Sequence, residues 1–207
     1  MIEGIIHIMK TPKKSLVCIL VNLFQFQAHS IEGFILEANP LLLINQGIGL
    51  NTEVGLSKNI SNGLGFEVFQ QKIYANNTIK AERDIYNIAY YLRYYFLGEK
   101  LLGPFVQSKI NFTYSDINLY DTQDNYESTK QYGSFVLAAG YRFLASNGFT
   151  IAGYIGGGIK SGTNYIDKNN LPNNKSSNSD WNKATNEINK QENIFQPDLG
   201  ITIGYYF

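Results

Sequence analysis

The sequence is short of the residues that most hydrolytic and metal chemistry needs. It has two histidines, His7 and His29, and one cysteine, Cys18, all within the first thirty residues. Beyond Ile31 there is no histidine to act as a general base or to bind a metal, and a single cysteine forms no internal disulfide. Charged residues make up only 16% of the chain against a usual quarter, and their formal sum is zero. The chain therefore carries no basic footprint for nucleic acid. No apolar run approaches the roughly 20 residues that a spanning helix needs. What is abundant is Tyr (15), Phe (13) and Gly (19), with a mean hydropathy of −0.18. That is the composition of a β protein, and any membrane residence must come from strands of about 10 residues.

Met9 to Ser30 reads as a secretory leader. Lys10, Lys13 and Lys14 form a basic start, Leu16 to Phe26 an apolar middle, and Ala28-His29-Ser30 a small-x-small cleavage site. Met1 to Ile8 precedes this signal and carries Glu3, which points to Met9 as the start. Residues 1–30 are thus expected to be an extension and signal peptide, with Cys18 in its apolar middle, and residues 31–207 a single domain.

The last strand is the clearest. Leu199, Ile201, Ile203, Tyr205 and Phe207 alternate with Asp198, Gly200, Thr202, Gly204 and Tyr206, giving one apolar face. From Ile31 onward the chain divides into eight such runs, at 32–44, 46–57, 62–74, 83–97, 101–114, 132–145, 149–162 and 194–207. The connections alternate between tight turns (58–61, 98–100, 146–148) and longer polar loops (75–82, 115–131, 162–193). Short turns on one side and long loops on the other are the habit of outer-membrane barrels, and every short turn falls on the same side as Phe207. Pro40 is the weak point, because ending the first strand there would leave seven strands and a fragment.

The parity of the charges agrees. Phe34, Leu36, Ala38, Ile48, Leu50, Val54, Leu56, Leu64, Phe66, Val68, Tyr86, Ile88, Tyr90, Leu92, Val106, Ile110, Phe112, Phe135, Leu137, Tyr141, Phe143, Ile151, Ile155 and Ile159 fall on the lipid-facing parity. The opposite parity holds Glu37, Glu53, Glu67, Arg93, Lys109, Arg142, Lys160 and Asp198, and only Lys72 breaks the rule. The remaining inward positions are mostly small or uncharged, as a narrow packed lumen requires. Glu37, Glu53, Glu67, Arg93 and Arg142 lie at similar distances from the inner strand ends and are expected in one layer. Together the four acids and four bases form a structural lumen charge network, since an unpaired buried charge costs several kcal/mol. Phe96, Phe143, Phe149, Tyr205 and Phe207 mark an inner aromatic girdle, and Tyr74, Tyr86 and Tyr114 an outer one.

No segment carries a catalytic, cofactor or metal signature. Gly153 to Ser161 imitates a phosphate loop but has Ile159 where the lysine must follow the second glycine, and it lies inside an alternating run. Asp116, Asp121, Asp124 and Glu127 give one outer loop an acidic cast. The Asn-rich stretch around Trp181 has the composition of a mobile loop.

Leu92-Arg93-Tyr94-Tyr95-Phe96, Gly140-Tyr141-Arg142-Phe143 and the Gly200–Phe207 ending resemble the strand ends of small outer-membrane β-barrels of the OmpA/OmpX-like type. The resemblance covers Ile31 to Phe207. It implies an all-β fold, an eight-stranded antiparallel up-and-down transmembrane barrel in the outer membrane of a Gram-negative-type bacterium. It also implies that Ile201, Ile203, Tyr205 and Phe207 are the C-terminal signal read by the barrel-assembly machinery. The expected partners are outer-membrane lipid and an extracellular ligand bound by loops 115–131 and 163–193. The expected role is structural or adhesive at the surface, without catalysis and without a cofactor. The alternatives are a narrow channel or transporter for small hydrophobic solutes, a secreted soluble ligand-binding barrel, and a lipid-modifying enzyme. The last is disfavoured by the missing histidine.

Overall fold

The computed structural model describes residues 33–75, 79–98, 101–161, 171, 179–191 and 194–207. The leader, with His7, Cys18 and His29, lies outside these residues. Eight antiparallel strands follow one another around a closed barrel: β1 (Phe34–Ala38), β2 (Ile48–Gly55), β3 (Ile60–Ala75), β4 (Lys80–Tyr95), β5 (Gly103–Tyr120), β6 (Asn125–Leu144), β7 (Phe149–Ser161) and β8 (Phe195–Tyr206). The described residues contain no helix long and apolar enough to cross a membrane.

Closure is direct. β1 pairs with β8, with Leu36 opposite Tyr205. The rung through Leu36 passes the other way through Thr52, Leu64, Tyr90, Ile110, Phe135 and Ile159, and reaches β8 at Phe195. Phe195 and Tyr205 are ten positions apart. A stagger of ten over eight strands tilts them about 40° from the axis and gives about 2.5 Å of height per residue.

Pro40 does end β1, at Ala38, but the count of eight stands because these five residues still pair on both sides. Proline cannot donate to the ladder and its fixed φ suits the first turn of a helix. A 3-10 helix, Pro40–Asn45, therefore starts at once. Asn39 caps it by accepting from Leu41 N at 3.2 Å, and Gln46 ends it in the left-handed region, φ 53°.

The longer elements depart further from expectation. The segment 115–131 is no loop: β5 runs to Tyr120 and β6 starts at Asn125, leaving a turn of four residues. β3 and β4 likewise reach into 75–82 from either side, β3 ending at Ala75 and β4 starting at Lys80, with a bulge between Lys72 and Tyr74. The stretch 163–193 contains helix α1 (Ser179–Gln191). Gly153 to Ser161 is plain β7 ladder. Two hydrophobic clusters fill the inside, one at the inner end around Tyr95 and Phe105, the other at the outer end around Trp181.

Candidate functional site

The lumen is closed from its inner end by layers of side chains. Ile35, Tyr95, Leu101, Phe105, Ala138 and Ala152 form an apolar floor. Directly on it lie Glu37, Glu53, Arg93 and Arg142, each no more than 2% exposed. Arg142 Nη2 reaches Glu37 Oε1 at 2.7 Å and Glu53 Oε2 at 2.8 Å, and Arg93 Nη1 reaches the same Glu53 oxygen at 2.5 Å. Glu37 Oε2 is 3.8 Å from Arg93 Nη1. Tyr95 O–H donates to Glu53 at 2.8 Å and accepts from Arg142 Nη1, Ser61 O–H donates to Glu53, and Arg93 Nε donates to Gln107 at 2.6 Å. The Arg93 guanidinium also lies between the Tyr91 and Phe105 rings, 4.5 and 4.8 Å from their centroids. Two acids and two bases thus cancel in a dry layer where none of them could stand alone.

The other four charges are not part of this cluster. Glu67 lies about 10 Å higher, by the register and tilt of the strands. Asn39 and Asn87 donate to it, at 3.4 and 3.1 Å. Lys109 and Asp198 make a separate pair at 2.7 Å, also above the quartet. Lys160 sits at the outer end with its ammonium 5.4 Å from the Tyr132 ring centroid. The single network of eight is therefore a quartet, a pair and two separate residues. The expected single layer fails because Glu53 lies two residues from the inner end of β2 at Gly55 whereas Glu67 lies seven from that of β3 at Ile60, and the stagger raises each successive strand by about 3 Å. Between the tiers, Tyr91 and Tyr154 narrow the lumen. Tyr154 lies against Gly200, where a Cβ would come 2.2 Å from its ring. A free volume of only about 10 Å³ remains between Asn51, Glu67, Asn87 and Lys109, room for one water-sized sphere.

A second core closes the outer mouth. Trp181, Ala184, Thr185 and Ile188, spaced to share one face of α1, are at most 1% exposed. The apolar members pack on Ile73, Ile79, Ala81, Ile117 and Leu119, the inward residues of the extended strands. Trp181 Nε1 donates to Asp121 Oδ2 at 2.9 Å, while Asp121 Oδ1 accepts from the Gln123 and Asp124 backbones at 2.7 Å each. One carboxylate thereby ties the β5–β6 turn to the helix.

The outside of the barrel is the reverse of a soluble protein. Leu50, Phe66, Ile110, Phe112, Leu137, Ile155, Ile159 and Leu199 are 45 to 69% exposed. Of the residues assigned to lipid by parity, only Val54 is buried. The apolar surface begins at an outer border where the Tyr86 and Tyr114 rings meet at 5.9 Å, and ends at Tyr94, Phe96, Phe143, Phe149, Tyr205 and Phe207. Tyr86 to Tyr94 on β4 spans about 20 Å of height and Phe96 brings it to about 25 Å, the height of a membrane barrel's apolar band. Beyond the border the outward rows turn polar at once: Gln70, Asp84, Asp116 and Thr129, then Lys72, Glu82, Asn118 and Glu127. Lys72 is thus clear of the band, as is Tyr74, which falls in the strand extension.

The architecture is a closed eight-stranded antiparallel barrel with an apolar band around its outside. Among solved structures the chain is similar to Ail, the attachment invasion locus protein of Yersinia pestis, at 8% identity and a TM-score of 0.47 over 84% of this chain and 94% of that one. It is also similar to CarO of Acinetobacter baumannii, at 14% identity and a TM-score of 0.46 over 86% and 98%. No family model matches the chain, and no curated protein does.

Proposed function

We propose that this protein is an integral outer-membrane barrel whose sealed lumen is structural and whose work is done at the cell surface. The observation that carries the reading is the abrupt change of the outward face at the Tyr86–Tyr114 border. Above it the β3–β4 and β5–β6 hairpins continue into water on a core of their own, which a barrel needing only to span the bilayer does not require. Rigid projecting strands crowned by a helix make a recognition platform on a fixed scaffold. Asp84, Asp116, Glu82 and Glu127 give its outer face an acidic cast. The reading includes export by the leader and assembly through Ile201, Ile203, Tyr205 and Phe207, all of which point outward at the inner half of the wall. It assigns the chain no catalytic role.

Cysteines at Gln123 and Asn147 test the topology. On intact cells a membrane-impermeant maleimide is expected to label Gln123→Cys and not Asn147→Cys. Labelling of both or of neither, with the barrel present and heat-modifiable on a gel, overturns the surface assignment. Deleting Asn118–Glu127 with its turn is then expected to leave an assembled barrel while removing adhesion of the cells to a host-cell layer.

Passage of small hydrophobic solutes is a second reading. It is favoured by one observation, the shortness of β1, which ends at Ala38.

A further inference from the structure

Among the described residues the apolar band of the wall has one place where strand does not continue. β1 ends at Ala38, opposite Ile203, so among the described residues Phe195–Thr202 of β8 pair with β7 alone. On the other side β2 begins only at Ile48, opposite Val68, and β3 above Val68 pairs with β4 alone. The notch between these edges lies in the outer half of the apolar band, since Ile155, Ile159, Phe195 and Leu199 beside it all point outward and are 56 to 69% exposed. An open strand edge at membrane depth is costly because lipid offers no hydrogen bonds. The Pro40–Asn45 helix lies against β2, β3 and β8 where the ladder is missing. Leu43 and Ile44 on its outer side are 68 and 80% exposed.

Its inner side is a stopper. Leu42 is buried against Gly49, where a Cβ would fall 2.6 Å from Leu42 Cδ1, 3.1 Å from Asn39 Cβ and 3.3 Å from Glu67 Cγ. A larger residue at this position would crowd the three side chains that converge there. Behind Leu42 the lumen is polar and under-satisfied. Asn111 Oδ1, Gln196 Oε1, Asp198 Oδ2 and Thr202 Oγ1 are buried without a hydrogen-bond partner among the described residues, three of the four on the inward face of the strand with the open edge. The Lys109–Asp198 pair cancels, and Glu67 is held by two amide donors with no cation in an ion pair to it among the described residues. Unpaired acceptors and one uncompensated carboxylate call for a ligand that donates hydrogen bonds and carries positive charge.

We propose that the Pro40–Asn45 helix is a movable panel in the outer-leaflet half of the wall. Behind it lies a site for the cationic amine head of a single-chain amphiphile, whose chain stays in the leaflet through the notch. The panel is hinged at Asn39, where the ladder stops, and at Gln46, in the left-handed region, and it opens by drawing Leu42 off Gly49. Glu67 receives the head. The proposal rests on the membrane placement above.

The test uses the full chain in lipid nanodiscs, in a Cys18→Ser background, with nitroxides at Ile44 on the panel and Leu137 on the fixed wall. Adding dodecylammonium is expected to lengthen the Ile44–Leu137 distance, and native mass spectrometry to show one bound molecule per barrel. Dodecyl sulfate is expected to do neither. E67Q is expected to weaken dodecylammonium binding about tenfold or more, the worth of one charge-assisted hydrogen bond. A distance that does not move, a response to dodecyl sulfate equal to that to dodecylammonium, or E67Q binding as tightly as the parent overturns the proposal. Heat-modifiable migration and lipid contact at Leu137 separate the two failures. If they are lost, the membrane placement falls and the panel with it; if they hold while the panel stays still, only the panel falls.

Discussion

Glu53 is the residue on which the inner plug depends. Its two oxygens take bonds from Arg93, Arg142, Tyr95 and Ser61 in a layer without solvent. Removing one charge from such a cluster leaves another uncompensated, at roughly 3–5 kcal/mol. Arg142→Met is therefore expected to lower stability by about that amount, read as the urea midpoint of the heat-modifiable gel band in lipid vesicles. Lys109→Met is expected to cost less, because Lys109 and Asp198 keep side-chain exposures of 10 and 12% and so retain part of their hydration. Equal losses would mean that the two tiers act as one network. At this scale the sequence showed which charges point inward, because period two assigns a face to every residue of a strand. It did not show which of them meet. Glu37 and Arg142 are 105 positions apart and come within 2.7 Å only because β1 closes on β8 with a ten-residue stagger.

Among the elements, the two long hairpins and α1 are the least legible in the sequence, for a physical reason. Alternation continues through β5, but its phase inverts: Ile110 and Phe112 face out, whereas Ile117 and Leu119 face in. β4 does the same, from Ile88 and Tyr86 outward to Ile85 and Ala81 inward, with Ile79 buried just before it. A strand that leaves lipid for water must exchange its apolar face, so a reading that follows the lipid-facing parity ends the strand at the interface. The lipid-facing parity therefore makes residues 115–131 read as a loop, although β5 and β6 run through all but four of them. In α1 the apolar stripe is only Trp181, Ala184 and Ile188 among many Asn and Lys, too sparse to outweigh the composition. Asp121→Ala is expected to loosen the α1 cap while leaving the spanning part intact. Since Trp181 is the lone tryptophan and is buried, its emission should shift to the red and become quenchable by iodide, with heat-modifiable migration unchanged. Unchanged emission would mean that the apolar contacts hold the helix without the hydrogen bond. Trp181→Ala is the harsher change, about 3–5 kcal/mol for a buried Trp, and should expose the outer mouth to protease.

For the whole molecule, the decisive property is that its exterior is apolar and its interior is full. Eight strands leave an interior just wide enough for side chains, and here it holds an apolar floor, an ion quartet, two tyrosines and a polar tier with room for one water-sized sphere. Planar-bilayer recordings of the purified barrel are therefore expected to show no large steady conductance, and the same should hold for a variant lacking α1, since the inner floor stands without the outer cap. A steady pore in the parent protein would contradict the sealed lumen. A pore appearing only when α1 is removed would place the barrier at the outer mouth. The exterior is tested by the same strand that shows both faces. Leu137 is 59% exposed, whereas Ser134, three positions away on the opposite parity, is 6% exposed and accepts a hydrogen bond from Asn111 at 2.9 Å. A nitroxide at Leu137 in lipid vesicles should be relaxed strongly by dissolved oxygen and weakly by a water-soluble nickel chelate. A nitroxide at Ser134 should be shielded from both, because its neighbours are side chains in a packed lumen. The opposite result, oxygen access at Ser134 and chelate access at Leu137, would describe a soluble barrel with its apolar face inward and would overturn the outward placement of Ile110, Phe112 and Leu199.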